Sequence, residues 1–527
     1  MALNPHHDPS RLKGANTATF EIATDTPTQS SAPIESKKDL GELQSIAETE
    51  DQKILRKRID WAILPVLVLC YFLLFTNRTN VQLVYLSDDP RYPFTKNHYA
   101  IVQFVFALSY SLPEPVWNVL LRRVGPRVWL APALFLSGLI AIFCAFVQDW
   151  QALAGLRFLI GIPLGALFPG CLYYITCWYP RRQLGRPISI FYSGATLGSA
   201  FANLLNSAIL QIDTGEKYTS GWKVGSDWVV IIWGLITIVA SVIIFFAIPD
   251  FPDEDNRILK SAADHAAFRA WYVASDVTRK ISEQYRPHAW KQGFSDMKTL
   301  LFILVQLTTV IPRDGLAIMQ RQIAVNLASK LDENASITIQ TLLYVPPVAL
   351  AFIVTVTVGI LSDRTNQRGY YMMAFSIFSI CGFAILLATT NATAQYVAGF
   401  LAYVGTWVCG ALCWVWLACN CEGLYKRAIV IGLAVGMLNL SSGLTVPATV
   451  ILHPYENGVS RVGGVYFLAL VCLHLCVVAL TRFYLLDQNK KKKALGNLPQ
   501  DATQYSGPNG LPIEDKGDKR SDFEYLL

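Results

Sequence analysis

The feature that most limits what this chain can fold into is a series of apolar blocks, each roughly twenty residues long, separated by short polar breaks. A helix of about twenty apolar residues crosses the hydrocarbon core of a bilayer. The charge content agrees. Soluble domains carry about 25% charged residues, whereas this chain of 527 residues carries 16%, against 53% hydrophobic. The expected fold class is an all-α membrane protein with about twelve transmembrane helices.

Six spans fall at about 61–80, 99–120, 128–147, 151–178, 188–210 and 228–249. Six more fall at about 299–320, 339–361, 370–389, 394–419, 428–451 and 463–486. The implied plan is a disordered tail (1–55), a six-helix bundle (56–249), a polar central loop (250–298), a second six-helix bundle (299–486) and a C-terminal tail (487–527). The first tail is rich in Ser, Thr, Asp and Lys and lacks an apolar period, which favours disorder. It shows no apolar core with a cleavage site, so span 1 is expected to direct insertion.

Orientation follows the positive charge. Arg122, Arg123 and Arg127 follow span 2, and Arg181, Arg182 and Arg186 follow span 4. Arg364 and Arg368 follow span 8, and Lys426 and Arg427 follow span 10. The opposite connections "VQDW" and "TTNATA" carry no Lys or Arg. The basic side is expected to be cytosolic, with both tails and the central loop. Asn334 in "NAS" and Asn391 in "NAT" then fall outside, as glycosylation acceptors must.

The halves echo each other. Basic loops recur after the second and fourth span of each, and GxxxG recurs in both fifth spans, as Gly194–Gly198 and Gly432–Gly436. Small residues at that spacing let helices approach closely. Two such pseudo-repeats are the plan of many secondary transporters.

Other chemistries find no support. The eleven cysteines sit mostly alone in apolar runs and act as small hydrophobes. The group Cys409, Cys413, Cys419 and Cys421 has no CxxC pair or nearby histidine, so no metal site is expected. The net charge of +6 lies in the breaks between spans, which argues against nucleic acid as a partner. There is no Walker loop, no HExxH and no nucleophile–base pair, so no catalytic residue and no cofactor are expected. His453 and His474 are too isolated to indicate chemistry.

Residues 359–369, "GILSDRTNQRG", resemble the G-x-L-x-D-R-x-x-x-R signature of the major facilitator superfamily, in the loop between spans 8 and 9. The stretches "RKRIDWAILPVLVLCYFLLFTNRTN", "LRRVGPRVW", "LRFLIGIPLGALFPGCLYYITCWYPRRQLGRPISIFYSG" and "NCEGLYKRA" resemble one subgroup. It is the anion:cation symporter branch, specifically the fungal allantoate permease-like family, over about residues 56–486. The resemblance implies two six-helix pseudo-repeats of the superfamily fold that move a small organic anion by alternating access, in the uptake direction, at the plasma membrane. The family's substrates include allantoate, nicotinate, pantothenate and biotin. The resemblance further implies that Asp363, Arg364 and Arg368 steady one gate. A solvated basic turn is the plainer reading of that cluster.

Arg78 ends span 1, and an arginine at membrane depth is a functional candidate by default. It could snorkel to the headgroups, or its planar fork could bind a carboxylate. The resemblance favours the second. Where the family writes D-R-x-N, this chain has Asn77 before the arginine; where it writes G-x-x-E-A-G in span 4, this chain has Leu164. Neither residue titrates, so proton coupling by the family's usual route is in doubt. Glu114 could titrate in a polar cavity or cap a kink at Pro113 and Pro115. Arg313 and Asp314 in span 7 are neighbours that cannot share a helix face, so at least one needs a partner elsewhere. They form a structural ion pair or a coupling site. Trp407, Trp414 and Trp416, with Tyr173 and Tyr174, could wall an aromatic cavity or simply pack. Asn439 matches a family asparagine in span 11.

The expected substrate site is therefore Arg78, Asn77, Tyr174, Arg313, Trp414 and Asn439, with Glu114 and Asp314 as coupling candidates. Arg181, Arg182, Lys426 and Arg427 join the gate residues. The expected partners are a small organic anion, the lipid bilayer and protons. The alternative is efflux or uncoupled transport of a fungal secondary metabolite, and a third class is a nutrient sensor that does not transport.

Overall fold

The computed structural model describes residues 50–79, 96–147, 149–209, 225–253, 256–274, 285, 287–332, 337–446, 460–496, 518 and 523–527. All fall in one compact unit, Glu48–Leu527. The expected tail before residue 50, Asn334 and His453 lie outside the described residues. Regular structure among the described residues is helical throughout.

The first half comprises α1 (Glu50–Thr79), α2 (Lys96–Ser111), α3 (Glu114–Val124), α4 (Pro126–Cys144), α5 (Trp150–Leu164), α6 (Leu167–Trp178), α7 (Gly185–Ile209) and α8 (Gly225–Ala247). Two shorter helices follow, α9 (Ala262–Ala274) and α10 (His288–Ser295). The second half is α11 (Met297–Leu331), α12 (Ile337–Thr365), α13 (Arg368–Ala388), α14 (Ala392–Cys419), α15 (Leu424–Val446) and α16 (Arg461–Gly496). Eleven of the described helical stretches are long and apolar enough to cross a membrane. Span 2 is the twelfth, divided into α2 and α3 by Pro113, which lacks the N–H that a continuous helix needs there.

Span 4 is divided too, between α5 and α6, beside Pro163 and Gly165. Those glycines have a further use. A Cβ on Gly165 would lie 2.3 Å from the Tyr110 carbonyl oxygen, and one on Gly161 3.0 Å from its backbone nitrogen. Only glycine lets α2 come this close, and the contact sets where the Tyr110 ring stands.

Burial sorts the spans by place. The most apolar stretch of α14 is 89% buried and that of α5–α6 83%, whereas α4 and α13 reach only 33%. The latter present Phe135, Leu136, Phe143, Ile377 and Phe378 outward, a surface that suits lipid and not water. The halves meet along α7 with α12, and along α15 with α2 and α3.

Two regions depart from a plain polar reading. In the central loop, α9 turns Phe268, Trp271 and Tyr272 inward, with Phe268 against Trp178 and Trp271 against Tyr179. At the far end α16 continues to Gly496, and residues 518 and 523–527 fold back onto the helix ends, burying Phe523 and Tyr525.

Candidate functional site

A small cavity lies between the halves, lined by α1, α2, α6, α7, α11, α14 and α15. Its α1 wall is Tyr71, Leu74, Phe75 and Arg78. These stand at i, i+3, i+4 and i+7, one face of a helix. The periodicity was open to sequence reasoning, which singled out only Arg78. The space measures about 20 Å³, room for about one water molecule.

Arg78 lines this cavity. Its Nη1 donates to Asn439 Oδ1 at 3.1 Å, its Nη2 lies 3.6 Å from Asp314 Oδ2, and its guanidinium sits 5.8 Å from the Tyr110 ring centre. Arg313 enters from α11. It donates to Asp314 Oδ1 from Nη2 at 2.6 Å and from Nε at 2.9 Å, and to the Tyr192 hydroxyl from Nη1. Trp407 stacks on the same guanidinium at 5.0 Å.

Arg313 and Asp314 pair with each other and each also has a partner on another helix. Their Cα atoms do sit on different faces, but the long arginine side chain curls back across the turn. Asp314 in addition takes a bond from Ser442 at 2.6 Å and the charge of Arg78. One carboxylate thus serves two guanidiniums.

Glu114 stands behind Asn439, at the head of α3 and fully buried. Its Oε1 accepts from Asn439 Nδ2 at 3.0 Å, while its Oε2 has no hydrogen-bond partner among the described residues. Asn439 joins Glu114 to Arg78, so the first half's acid and base meet through an amide of the second half. Trp414 lines the cavity as well.

Asn77 and Tyr174 do not line it. Asn77 donates to Thr237 on α8 at 2.9 Å. Tyr174 lies deeper along α6, where its hydroxyl donates to the Pro249 carbonyl at 2.7 Å beside Phe251. Leu164 is fully buried in packing. Sequence reasoning overlooked Tyr71, Tyr110 and Tyr192, and also Arg157, which is buried and donates to the Asn77 carbonyl at the end of α1.

The residues expected at the gate gather at the end of the bundle bearing the basic loops. Asp363 accepts from the Gly185 and Arg186 backbone N–H groups at 2.7 and 2.8 Å. A carboxylate of the second half thereby caps the first turn of α7, where unpaired N–H groups and the helix dipole favour negative charge. Arg368 is fully buried, 3.4 Å from Asp363, and donates to the Arg182 carbonyl. Arg364 is exposed.

A reciprocal pair stands alongside. Arg181 donates to the Cys419 carbonyl at the end of α14, and Arg427 to the Thr176 carbonyl near the end of α6 at 3.1 Å. Each half thus satisfies the unpaired helix-end carbonyls of the other. Lys426 is buried and pairs with Asp296 at 2.8 Å. Asn391 is exposed and caps α14. The described cysteines are all free, and no group of ligands able to hold a metal ion occurs among the described residues.

Comparison with known proteins agrees with this architecture. The sequence profile of the Major Facilitator Superfamily matches residues 67–446. An uncharacterised transporter of Schizosaccharomyces pombe is 27% identical over 463 residues, 86% of this chain and 90% of its own. A protein of Agrobacterium vitis named for tartrate transport is 24% identical, over 67% of this chain and 75% of its own. Among solved structures, the xylose transporter XylE from E. coli in a partially occluded inward-open form gives a TM-score of 0.52 at 14% identity, covering 81% of this chain and 97% of that one. A bacterial homologue of the lysosomal transporter Spinster, inward-facing and unoccupied, gives 0.54 at 13%, covering 82% and 98%.

Proposed function

This chain belongs to the Major Facilitator Superfamily, and from that premise we propose that it carries a small organic anion of vitamin, carboxylate or ureide type. Movement is by alternating access, in the uptake direction, across a fungal plasma membrane with both termini cytosolic. The allantoate permease-like resemblance supports the class of cargo, and the tartrate named for one relative belongs to it.

The single observation that carries the reading is that Arg78 and Arg313 converge on one small cavity between the halves, with Asp314 between them. Asp314 stands where a carboxylate of the cargo would lie. An incoming anion takes over part of the guanidinium donors as the cavity widens. Burying a second carboxylate without a compensating charge is costly. Glu114 offers the compensation. With Glu114 protonated, two guanidiniums face one carboxylate and the site has one surplus positive charge, matched by a monoanion. With Glu114 ionised the site is already neutral. Proton and anion therefore favour each other's binding, and Glu114 replaces the family acids absent at Asn77 and Leu164. Uncoupled or outward transport is the second reading, favoured by that same absence.

The test is uptake of labelled organic acids into vesicles reconstituted with the purified protein, with and without an inward proton gradient. Preference for neutral or cationic solutes would overturn the anion reading. Anion uptake indifferent to the gradient would select the uncoupled reading.

A further inference from the structure

The basic end of the second half holds a built site that the transport reading does not use. Lys298 on α11, Lys426 on α15 and Lys492 on α16 converge there, each less than a tenth exposed. Asp296 lies 2.8 Å from Lys426 and 3.4 Å from Lys298. Three buried ammonium groups beside two buried carboxylates, Asp296 and Glu422, leave one charge unmatched, a strongly unfavourable arrangement.

The chain's own C-terminus resolves it. Asp518 is fully buried and meets Lys298 at 2.5 Å and Lys426 at 2.8 Å, while Lys492 donates to the carbonyls of Asp518 and Phe523. Tyr525 is gripped at both ends of its backbone by Asn489, at 2.8 Å each, and its ring lies over Lys298 and Lys492. Leu526 exchanges hydrogen bonds with Asn420 and accepts another from Trp416 at 2.8 Å.

The contacts do not stop at the second half. Arg181, which follows α6, donates to the Glu524 carbonyl at 2.6 Å and stacks on the Phe523 ring at 3.9 Å. Arg181 is the same side chain that reaches Cys419 on α14. The C-terminal segment therefore ties a loop of one half to helices α11, α14, α15 and α16 of the other.

We propose that this pocket is a binding site for the chain's own C-terminal peptide, and that the docked peptide is a strap holding the basic end closed. Asp518 supplies the charge, Phe523 and Tyr525 the apolar anchors, and Arg181 the link across the halves. Opening at that end requires the strap to leave Arg181. Its departure strands the lysines, so release is resisted until another anion or a rearrangement satisfies them.

The test does not depend on the cargo. Nitroxides are placed at Lys57→Cys in the first half and Thr365→Cys in the second, both exposed. The background has Cys144, Cys381, Cys472 and Cys476 changed to serine, the remaining cysteines being buried. Distances are compared between the full chain, a chain ending at Gly517, and Asp518→Asn. Removing the strap should shift the distribution outward by several ångströms, and a synthetic peptide of residues 518–527 added in trans should reverse the shift. Asp518→Asn should give a partial shift in the same direction. Should the shortened chain aggregate, Asp518→Asn with and without the peptide carries the comparison. Identical distributions in the strapped and unstrapped forms, or a peptide without effect, would overturn the proposal.

Discussion

Among the described residues, Arg78 meets Asn439, Asp314 and Tyr110. Its hydrogen bond to Asn439 and its charge pairing with Asp314 need a cation, while the fork geometry suits a planar carboxylate. Arg78→Ala should cost anion binding about 2–4 kcal/mol, roughly thirty- to a thousand-fold in affinity. Arg78→Lys should recover only part of that. Labelled uptake normalised to membrane abundance checks both, and unchanged uptake in the alanine variant would end the carboxylate role. Glu114→Gln keeps the bond with Asn439 possible but cannot exchange a proton, so uptake should lose its dependence on the proton gradient while exchange of cargo persists. A gradient dependence that survives would remove Glu114 from coupling. At this scale Arg78 was legible because an arginine inside an apolar run is conspicuous. Tyr192 was not, because its meaning comes from Arg313, more than a hundred residues away.

Among the helices, the paired GxxxG motifs make different contacts in the two halves. In α7, Gly194 and Gly198 face the backbone of α1 within the first half, with built Cβ atoms 3.1 and 3.2 Å from the Val68 and Phe72 carbonyls. In α15, Gly432 and Gly436 face the broken span 2 across the interface, and a Cβ on Gly432 would lie 2.5 Å from Pro115 Cα. The same four-residue spacing thus builds one bundle and docks two. Gly198→Leu should lower the thermal midpoint of the protein, by an overpacking cost of about 1–3 kcal/mol. Gly432→Leu should instead hold the halves apart, seen as a large loss of turnover with a smaller thermal shift. Equal thermal losses would mean the two contacts are energetically alike. The Pro113 break was readable from letters, since proline always removes a donor. Which neighbour a glycine face meets was not.

In the molecule as a whole, charge ties the basic end together. Asp363 caps α7 across the interface, and Asp363→Asn should slow turnover more than it weakens cargo binding, because the neutral amide holds the helix end less firmly. Comparing turnover with equilibrium binding separates this from misfolding, which lowers both. Asp296 adds a pH dependence. Burial alone would raise its carboxyl, but Lys298 and Lys426 outweigh that and hold it below the usual aspartate value of 3.8. A lowered value in the folded state means the stabilisation is present above the unfolded value. It is lost as pH falls through the folded one. The folded protein should therefore keep this contribution at neutral pH and lose it only below about pH 4, readable as a fall in its thermal midpoint. Weakening already near pH 6 would require another titrating group.

The sequence by itself determined the membrane-spanning helices, their pseudo-repeated plan and the loops bearing the basic residues. Each of those follows from composition over a stretch of about twenty residues, which local hydrophobicity and helix length dictate. Tertiary structure alone decided that Arg78, Arg313 and Asn439 share one cavity, with Asp314 and Glu114 bonded to them, while Asn77 and Tyr174 turn away. It also decided that Phe523 and Tyr525, in a polar-looking stretch, are buried. These are long-range pairings, set by how whole helices rotate and approach, and neighbouring letters do not encode that rotation.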